Sequence, residues 1–367
     1  MLLGNKISNS HINLPISVKI INNLTRQFLL DTNNSILIKF NTFAIRIRNK
    51  HNHAMKLSVV LVTYNRLEKL KKTLNLYMNQ TISNKGERYR LIVVNNCSTD
   101  GTKEYLKDWE ANVVTPFEKV IIHSDKNLGG AGGFYLGESK ALELGSEWVF
   151  VADDDAYPSE DMIEKFFEYI TNHNCKHLST ICAVVHEMDG SIAQNHRNFF
   201  KTKGFKYKIF QSTIENYKKE SFEIDLLSYV GPFIKAEALN KVGLIESKYF
   251  IYFDDSEHSL RLKNFGKIIC VPGIDITHEG AIVRNDSNAG KITTWREYYI
   301  LRNELNMIKR HYKLVACYCF ASYFRRLYLT RKEKGERRRM MRTAFWDAYF
   351  NRLGMHKVYK PGWQIEN

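Results

Sequence analysis

The chain has 367 residues, of which 44% are apolar, and a formal net charge of +15 at pH 7. This length and apolar content suffice for the buried core of one large domain or two, which excludes a disordered chain. The charge is concentrated in two flanks, since residues 1–54 carry a net charge of +6 and residues 301–342 one of +10. Basic flanks favour an anionic partner such as a phosphate-bearing lipid surface, a nucleic acid or an acidic polymer.

The cysteines and the hydropathy pattern indicate a protein of the cytoplasm. None of the six cysteines lies in a Cys-x-x-Cys pair or at a zinc spacing, which predicts reduced thiols. The longest apolar run, 314–324, is shorter than the ~18 residues of a membrane span, and the first 30 residues carry no signal-peptide pattern. We therefore expect a cytoplasmic protein that touches a membrane only peripherally, at its inner face.

Three regions are predicted along the chain. Residues 1–54 are an Asn- and Ile-rich extension of unknown role, and two interpretations stay open: they belong to the native protein, or the protein starts at Met55. Residues 55–290 form the predicted catalytic domain. Residues 291–367 form a helical, basic and aromatic region.

From residue 55 onward, short apolar runs alternate with amphipathic segments. This alternation is typical of right-handed βαβ units, so we predict an α/β fold with a mostly parallel sheet flanked by helices. Buried strands are predicted at 56–63, 90–94, 120–123 and 148–152. Helices are predicted at 66–79, directly after 98–101, at 132–145 and at 158–171. Beyond Cys175 the pattern is mixed, with strands near 180–186, 227–233 and 267–272 and a helix at 254–264.

Polar residues follow these strands at the edge where parallel sheets bind ligands. Residues 63–66 follow the first strand, residues 95–96 the second and residues 153–155 the fourth. Because the carboxyl ends of parallel strands meet at one edge, the three groups are predicted to share one site.

The strongest signal is a run of three acids after a buried strand, V-A-D-D-D-A at residues 151–156. Clustered like charges are unfavourable unless a cation compensates them. Acids at positions i and i+2 of a turn can face the same way, so Asp153 and Asp155 are predicted to bind a divalent cation that also contacts substrate phosphates. A solvated acidic turn is the alternative interpretation.

A second acidic group follows the aromatic segment 249–253 and opens a predicted helix. The dipole at a helix N-terminus accounts for one acid, but not for Asp254, Asp255 and Glu257 together. A carboxylate beside an acceptor hydroxyl can take its proton as the oxygen attacks. We therefore predict that Asp255 is a general base, supported by Asp254 and Glu257.

His278 follows the strand that begins at 267, after a short turn. A single histidine is more often structural than a ligand. It lies about 20 residues after the second acidic group, however, and a neutral imidazole could complete the coordination of the cation.

The segment 127–134 reads N-L-G-G-A-G-G-F and opens a predicted helix. Glycines let a ligand approach the backbone closely, and a helix N-terminus attracts anions such as a pyrophosphate. The spacing is not G-x-G-x-x-G, and a plain glycine-rich turn accounts for it equally well.

Four blocks in order make residues 56–310 resemble the family 2 glycosyltransferases, which have the GT-A fold. The blocks are V-V-L-V-T-Y-N-R, I-V-V-N-N-C-S-T-D-G-T, the D-D-D block, and F-D-D-S-E-H-S-L-R followed by His278. Within the family, N-L-G-G-A-G-G-F and D-D-D-A are most similar to bacterial galactofuranosyltransferases, with rhamnosyltransferases next.

The resemblance implies an inverting transfer of a sugar, with galactofuranose favoured, from a nucleotide sugar to a hydroxyl of a cell-surface glycan or a lipid-linked acceptor. UDP is the favoured nucleotide, and dTDP-rhamnose is the alternative donor. The resemblance implies that Asp153, Asp155 and His278 bind Mn2+ or Mg2+ and that Asp255 is the base.

The residues that the resemblance places at the donor lie in the first three blocks and in the glycine-rich segment. They are Thr63, Arg66, Asn95, Asn96, Asn127, Gly129, Gly130 and Asp154. Family members usually carry Asp at the position of Asn95, where the residue binds the uracil or thymine ring.

The basic segment 325–342 lies beside aromatic residues. Such a combination favours an anionic membrane surface that carries a lipid-linked acceptor, and a solvated helical face is the alternative.

Other classes of protein account for less of the pattern. A nucleic-acid-binding protein would match the basic charge, but acids at strand and helix ends would repel phosphate, so no nucleic-acid partner is expected. A non-catalytic interaction protein does not explain the acids either. A hydrolase with two carboxylates is the remaining enzymatic alternative, but the glycine-rich segment and the D-D-D block favour a nucleotide donor instead.

Overall fold

The computed structural model describes residues 56–81, 88–280, 292–329, 331 and 335–366. The predicted extension, residues 1–54, lies outside the described residues. Within the described ranges, no helix is both long and apolar enough to cross a membrane.

Strands and helices alternate from Leu57 to Asn172, as predicted, and are followed by shorter strands and a helical C-terminal region. The strands are β1 (Leu57–Thr63), β2 (Tyr89–Asn95), β3 (Glu118–His123), β4 (Trp148–Asp153), β5 (Ala156–Pro158), β6 (Leu178–His186), β7 (Arg197–Lys203), β8 (Lys206–Gln211), β9 (Phe222–Ile224), β10 (Leu226–Leu227), β11 (Pro232–Lys235), β12 (Lys267–His278), β13 (Ile292–Thr294) and β14 (Gln364–Glu366). The α-helices are α1 (Leu67–Met78), α2 (Thr102–Asn112), α3 (Gly129–Glu143), α4 (Met162–Asn172), α5 (Ala236–Val242), α6 (Asp254–Phe265), α7 (Trp295–His311), α8 (Lys313–Leu329) and α9 (Glu336–Tyr349).

The main sheet has the strand order β3-β2-β1-β4-β11-β6-β12-β5, with β9 also paired to β12. β1 runs parallel to β2 and β4, and β11 is inserted antiparallel between β4 and β6. The predicted mostly parallel sheet flanked by helices is therefore confirmed. The parallel register places Thr63 opposite Asn95 and Val62 opposite Asp153, so these strand ends meet at one edge.

Strand β1 is buried on both faces. Leu57, Val59 and Leu61 pack on one face of the sheet against α1, α2 and α4, whereas Val60 and Val62 pack on the other against α3. Successive side chains of a strand point to opposite faces, so a strand covered on both sides is apolar at nearly every position. This is why the continuous apolar run was a reliable predictor of the central strand.

Two predicted helix starts were wrong. Helix α3 begins at Gly129 rather than at residue 132, so the glycine-rich segment lies mostly inside the helix. Pro158 does not begin a helix but ends β5, where it pairs with Ile276, and α4 begins at Met162. A short strand at the end of the sheet order accommodates proline because its missing N–H need not join a ladder.

Two strands beyond residue 175 also differ from prediction. The strand predicted near 227–233 is two short strands, β10 and β11, separated by an irregular stretch. β12 is longer than predicted, because its register with β6 shifts between Val271 and Asp275 and the strand then continues to His278. His278 therefore lies at the end of the strand rather than after a turn.

The C-terminal helices pack on the α/β part of the chain. Leu260 of α6 and Met307 of α7 lie in one buried apolar cluster with Phe200 of β7, and α8 contributes to the same cluster. Helix α9 packs on α7 through a further apolar cluster. The described part of the C-terminal region thus shares buried surface with the rest, and the boundary drawn at residue 290 stays a prediction.

Candidate functional site

The run of three acids occupies the turn between β4 and β5. β4 ends at Asp153, and the Thr73 hydroxyl of α1 donates a 2.6 Å hydrogen bond to the Asp154 carbonyl oxygen, which fixes the turn. β5 then begins at Ala156, which pairs with His278 at the end of β12. This pairing brings a histidine that is remote in sequence beside the acids.

Asp153, Asp155 and His278 form a group that could hold a metal ion. Each offers one ligand atom, and these atoms all lie within 4.8 Å of one another. Asp155 Oδ1 is buried, lies 3.4 Å from His278 Nε2 and makes no hydrogen bond. A buried carboxylate oxygen without a partner is unfavourable, and a cation would satisfy it. The two carboxylates suit a hard divalent ion such as Mn2+ or Mg2+, and a neutral imidazole could complete its coordination.

Two basic side chains approach these acids from the start of α1. Arg66 Nε lies 2.9 Å from Asp154 Oδ1, and its Nη1 bonds to Asp155. Lys69 Nζ lies 3.4 Å from Asp155 Oδ2. Burial acts to raise the pKa of Asp155, but its neighbours His278, Arg66 and Lys69 outweigh burial and lower the pKa. The sequence pattern did not single out Lys69, although it lies one helical turn after Arg66.

The other two acids of the run have raised pKa values. Burial raises the pKa of Asp153 to about 6, although Arg66 opposes it, and the charges of Asp155 and Asp255 add to the increase. Burial raises the pKa of Asp154 to about 7, again against Arg66. Because Asp255 acts on Asp153 electrostatically, the second acidic group lies close to the first.

The second acidic group opens α6. Asp254 and Asp255 are its first residues, and Phe253 before them has left-handed backbone angles of φ 61° and ψ 0°. Asp255 Oδ1 accepts hydrogen bonds from the Ser256 N–H at 2.6 Å and the Ser256 hydroxyl at 3.2 Å. Burial raises the pKa of Asp254 to about 8, with Asp255 adding to it, and burial raises the pKa of Asp255 to about 6.

Glu257 is bound by basic residues of α6 and α7. Its carboxylate lies 2.9 Å from Arg261 Nε, 3.0 Å from His311 Nε2 and 3.5 Å from Arg310 Nη1. Burial acts to raise the pKa of Glu257, but these partners lower the pKa to about 2. Glu257 therefore joins α6 to α7, and any support that it gives the predicted base acts through the placement of α6.

Residues predicted to bind the donor lie around the ends of β1 and β2. Thr63 is the last residue of β1 and is fully buried. The Asn96 side chain accepts the Leu128 N–H at 2.9 Å and donates to the Gly129 carbonyl at 3.0 Å. Asn127 Oδ1 accepts the Gly129 N–H at 2.8 Å. These bonds tie the loop after β2 to the start of α3.

Asn95 is buried at the end of β2, opposite Thr63. Its Oδ1 accepts the Ser98 N–H at 2.9 Å, and its Nδ2 lies 3.2 Å from His123 Nδ1. An asparagine supplies a donor as well as an acceptor, which an aspartate does not. The amide can thus donate to the ring nitrogen of His123 while its oxygen closes the turn.

Most glycines of the 127–134 segment make room for protein rather than for a ligand. A Cβ on Gly129, where φ is +72°, would lie 2.0 Å from the Phe250 carbonyl oxygen, and a Cβ on Gly133 would lie 2.5 Å from a methyl of Val62. Only open space faces Gly130, where a Cβ would meet nothing within 4 Å. A ligand therefore has space to approach the backbone at Gly130, as predicted, whereas Gly129 and Gly133 allow α3 to pack closely on its neighbours.

Comparison with known proteins supports one family. Residues 58–231 match the profile of Glycosyl transferase family 2. Galactofuranosyltransferase GlfT1 of Mycolicibacterium smegmatis is 28% identical over 220 residues, which are 58% of this chain and 67% of that protein. GlfT1 of Mycobacterium tuberculosis H37Rv is 36% identical over 103 residues, which are 28% of this chain and 31% of that protein. The dTDP-rhamnosyl transferase RfbF of Shigella flexneri is 27% identical over 258 residues, which are 69% of this chain and 80% of that protein.

Solved structures share the fold at low identity. S. aureus TarS 1–349 in complex with UDP-GlcNAc has a TM-score of 0.52 and 16% identity, covering 83% of this chain and 85% of that one. GalNAc-T7 with UDP, GalNAc and Mn2+ has a TM-score of 0.51 and 14% identity, covering 70% of this chain and 48% of that one. The profile match shows that residues 58–231 are a Glycosyl transferase family 2 domain, which makes the protein a glycosyltransferase, and the solved structures show that its fold is GT-A.

Proposed function

We propose that this enzyme transfers a sugar, with inversion, from a nucleotide-sugar donor to a hydroxyl of a cell-surface glycan or a lipid-linked acceptor. The observation that carries the proposal is the pair of neighbouring acidic groups. One group has the geometry of a cation site, and the other contains carboxyls whose pKa values burial raises toward neutrality. A cation held by the first group could bind a diphosphate, and a carboxylate of the second group could accept a proton.

On the donor side, Asp153, Asp155 and His278 would hold Mn2+ or Mg2+. When bound, such an ion supplies positive charge to the diphosphate that leaves the sugar. Arg66 and Lys69 carry further positive charge at the same edge of the sheet. The residues that we propose to contact the donor are Thr63, Arg66, Asn95, Asn96, Asn127, Gly130 and Asp154, whereas Gly129, also predicted from the sequence, packs against Phe250.

On the acceptor side, Asp255 is the proposed base. With a pKa of about 6 it is largely ionised at neutral pH, whereas Asp254, with a pKa of about 8, is largely protonated. The acceptor hydroxyl gives its proton to the Asp255 carboxylate while its oxygen attacks the anomeric carbon. The bond from that carbon to the diphosphate oxygen breaks, and the nucleoside diphosphate leaves from the opposite face.

UDP-galactofuranose is the donor that we favour, because of the similarity to two galactofuranosyltransferases. dTDP-rhamnose is the second candidate, supported by a match to a dTDP-rhamnosyl transferase over 69% of this chain.

The test is the melting temperature of the protein in Mn2+ with UDP-galactofuranose, UDP-galactose, UDP-GlcNAc or dTDP-rhamnose. A ligand that binds only the folded state raises the melting temperature in proportion to its affinity, so we expect UDP-galactofuranose to raise it most. UDP alone, and each donor with chelator, serve as controls. A larger shift with dTDP-rhamnose would change the donor, and no shift with any nucleotide sugar would contradict the proposal.

The C-terminal region is proposed to bind an anionic membrane surface at the inner face of the plasma membrane. Phe324 and Tyr328 on α8 are more than half exposed, and Arg325 and Arg326 beside them are exposed as well. Residues 301–342 carry a net charge of +10. Exposed aromatic rings next to cations suit the headgroup region of an anionic bilayer.

Flotation with vesicles tests this surface. We expect recovery with phosphatidylcholine and phosphatidylglycerol mixed, and little with phosphatidylcholine alone. The double variant Arg325→Glu/Arg326→Glu should lose recovery, whereas Lys201→Glu/Lys203→Glu, an equal charge change on exposed residues of β7, should keep it. Equal recovery of the two variants would exclude α8 as the contact.

A further inference from the structure

The chain that leads into α6 has an unusual backbone. Phe250 has φ 71° and ψ −56°, and the Ile251 N–H donates to the Tyr249 carbonyl at 2.9 Å. These values describe a γ-turn of the rare and strained kind. Tyr252, with φ 64°, and Phe253, with φ 61°, then follow in the left-handed region. None of these three positive-φ residues is glycine, the residue that adopts such angles without strain.

One buried amide of α7 holds this strained segment. Asn303 Nδ2 lies 3.0 Å from the Tyr249 carbonyl oxygen, 2.8 Å from that of Ile251 and 2.9 Å from that of Tyr252. Asn303 is fully buried, and its own Oδ1 accepts a 2.8 Å hydrogen bond from Arg302 Nε. The arginine therefore fixes the direction in which the amide presents its N–H groups.

Arg302 and α3 form further hydrogen bonds that hold the strained segment. Arg302 Nη2 donates to the Tyr249 carbonyl at 3.0 Å, and its Nη1 donates to the Gly354 carbonyl at 2.7 Å. From the other direction, the Ala131 N–H of α3 donates to the Phe250 carbonyl at 3.2 Å. The strained backbone is thus bonded both to the C-terminal helices and to the helix that carries the glycine-rich segment.

This segment determines where the second acidic group lies. Phe253 is the residue before α6, and Asp254 and Asp255 follow it directly. Strained, non-glycine backbone persists only where its surroundings over-determine it, and it occurs mainly at functional sites. Small displacements of a reacting group are enough to slow an enzyme strongly.

We propose that Asn303, oriented by Arg302, is a positioning residue for the transfer reaction: it holds the Tyr249–Phe253 segment so that the carboxylate of Asp255 meets the acceptor hydroxyl. This inference rests on the proposed role of Asp255 as base. It assigns a part in the reaction to the C-terminal helix α7, which acts here through the backbone of this segment and separately from its ion pairs with Glu257. The bond from the Ala131 N–H to the Phe250 carbonyl holds the segment to α3 independently of Asn303, so we expect the loss of Asn303 to act on turnover more than on donor binding.

The test compares Asn303→Ala with Tyr298→Phe. Tyr298 is a buried residue of the same helix, and its hydroxyl donates a 2.7 Å hydrogen bond to Asp347 rather than to the strained segment. We expect Asn303→Ala to lower kcat by about ten- to a hundredfold while the KM for the donor changes by less than about threefold. Tyr298→Phe should lower the melting temperature but keep kcat near that of the wild type. Should Asn303→Ala not fold, Asn303→Ser, which keeps a smaller donor, takes its place.

A second-site change separates positioning from general destabilisation. Glycine at position 252 adopts positive φ without strain, so Tyr252→Gly in the Asn303→Ala background should restore part of kcat without restoring the melting temperature. Wild-type kcat in Asn303→Ala, or an equal loss of kcat in Tyr298→Phe, would overturn the inference. Asp255→Asn is measured alongside: if that variant keeps its turnover, the base assignment fails, whatever Asn303 does.

Discussion

The two acidic groups of the site differ in how their charge is balanced. Residues 153–155 lie against Arg66, Lys69 and His278, and these neighbours lower the pKa of Asp155 despite its burial, although the pKa values of Asp153 and Asp154 are raised. Among the described residues, no lysine, arginine or histidine forms an ion pair with residues 254–255, whose pKa values are raised. We propose that aspartates act as charged cation ligands in the first group and as a proton acceptor in the second, and that the neighbouring basic side chains make the difference.

Removal of the proposed base is expected to have the largest effect, which is on turnover. Asp255→Asn leaves an amide that cannot accept the hydroxyl proton, so we expect kcat to fall by about a thousandfold, while donor binding stays within a few-fold. Steady-state transfer and calorimetric titration of the donor measure the two quantities. Asp161→Asn, the same change at the start of α4, should leave both unchanged. Turnover above about a tenth of the wild-type value would rule out the base assignment.

The pH dependence of turnover tests whether the proposed base has a raised pKa. Burial raises the pKa of Asp255 from 3.8 to about 6, and the base works only when ionised. We expect kcat to fall about tenfold for each pH unit below 6 and to level off above it. The profile is recorded under saturating donor, with circular dichroism at each pH to verify folding. A profile that is flat down to about pH 4, the ordinary range of an aspartate, would contradict the assignment.

Glu257 lies in the second acidic group by sequence, but its charge is neutralised by basic partners, as in the first group. We therefore expect its substitution to change the stability of the fold. Its pKa is lowered from 4.5 to about 2, so its ion pairs stabilise the fold above pH 4.5, and this contribution is lost as the pH falls toward 2. Glu257→Gln should lower the free energy of unfolding by about 3 kcal/mol at pH 7.

Urea unfolding at several pH values tests this. The difference in free energy of unfolding between Glu257→Gln and the wild type should become smaller as the pH falls below 4.5. Glu223→Gln, which breaks an exposed 2.9 Å pair with Lys267, should change little at any pH. A difference that stays constant with pH would mean that the charge of Glu257 is not what stabilises the fold.

The first half of the fold could be predicted because its signals are local. Strands such as β1 are apolar at successive positions, and their polar ends mark one edge of the sheet, so the acids at 153–155 were placed correctly. The predicted ligands Asp153, Asp155 and His278 do come together. The long extension of β12 that carries His278 was not predictable, since it depends on pairing with β5 after a register shift.

The remaining differences come from contacts between distant parts of the chain. The glycines of α3 are explained by the Phe250 carbonyl and by the side chains of β1, which no local pattern reveals. Asn303 lies about 50 residues after the segment that it holds, and a single asparagine in an amphipathic helix carries no signal. Strain at Phe250 is visible only in backbone angles.

The central proposal is that residues 153–155 bind a cation and residues 254–255 accept a proton. Binding of UDP with and without Mn2+ tests it most directly. Titrations of Asp155→Asn and Asp255→Asn are compared with the wild type by calorimetry. The account predicts that Asp155→Asn loses the Mn2+-dependent gain in UDP affinity, by about ten- to a hundredfold, and that Asp255→Asn retains it. Retention of that gain by both variants, or its equal loss in both, would contradict the division of roles.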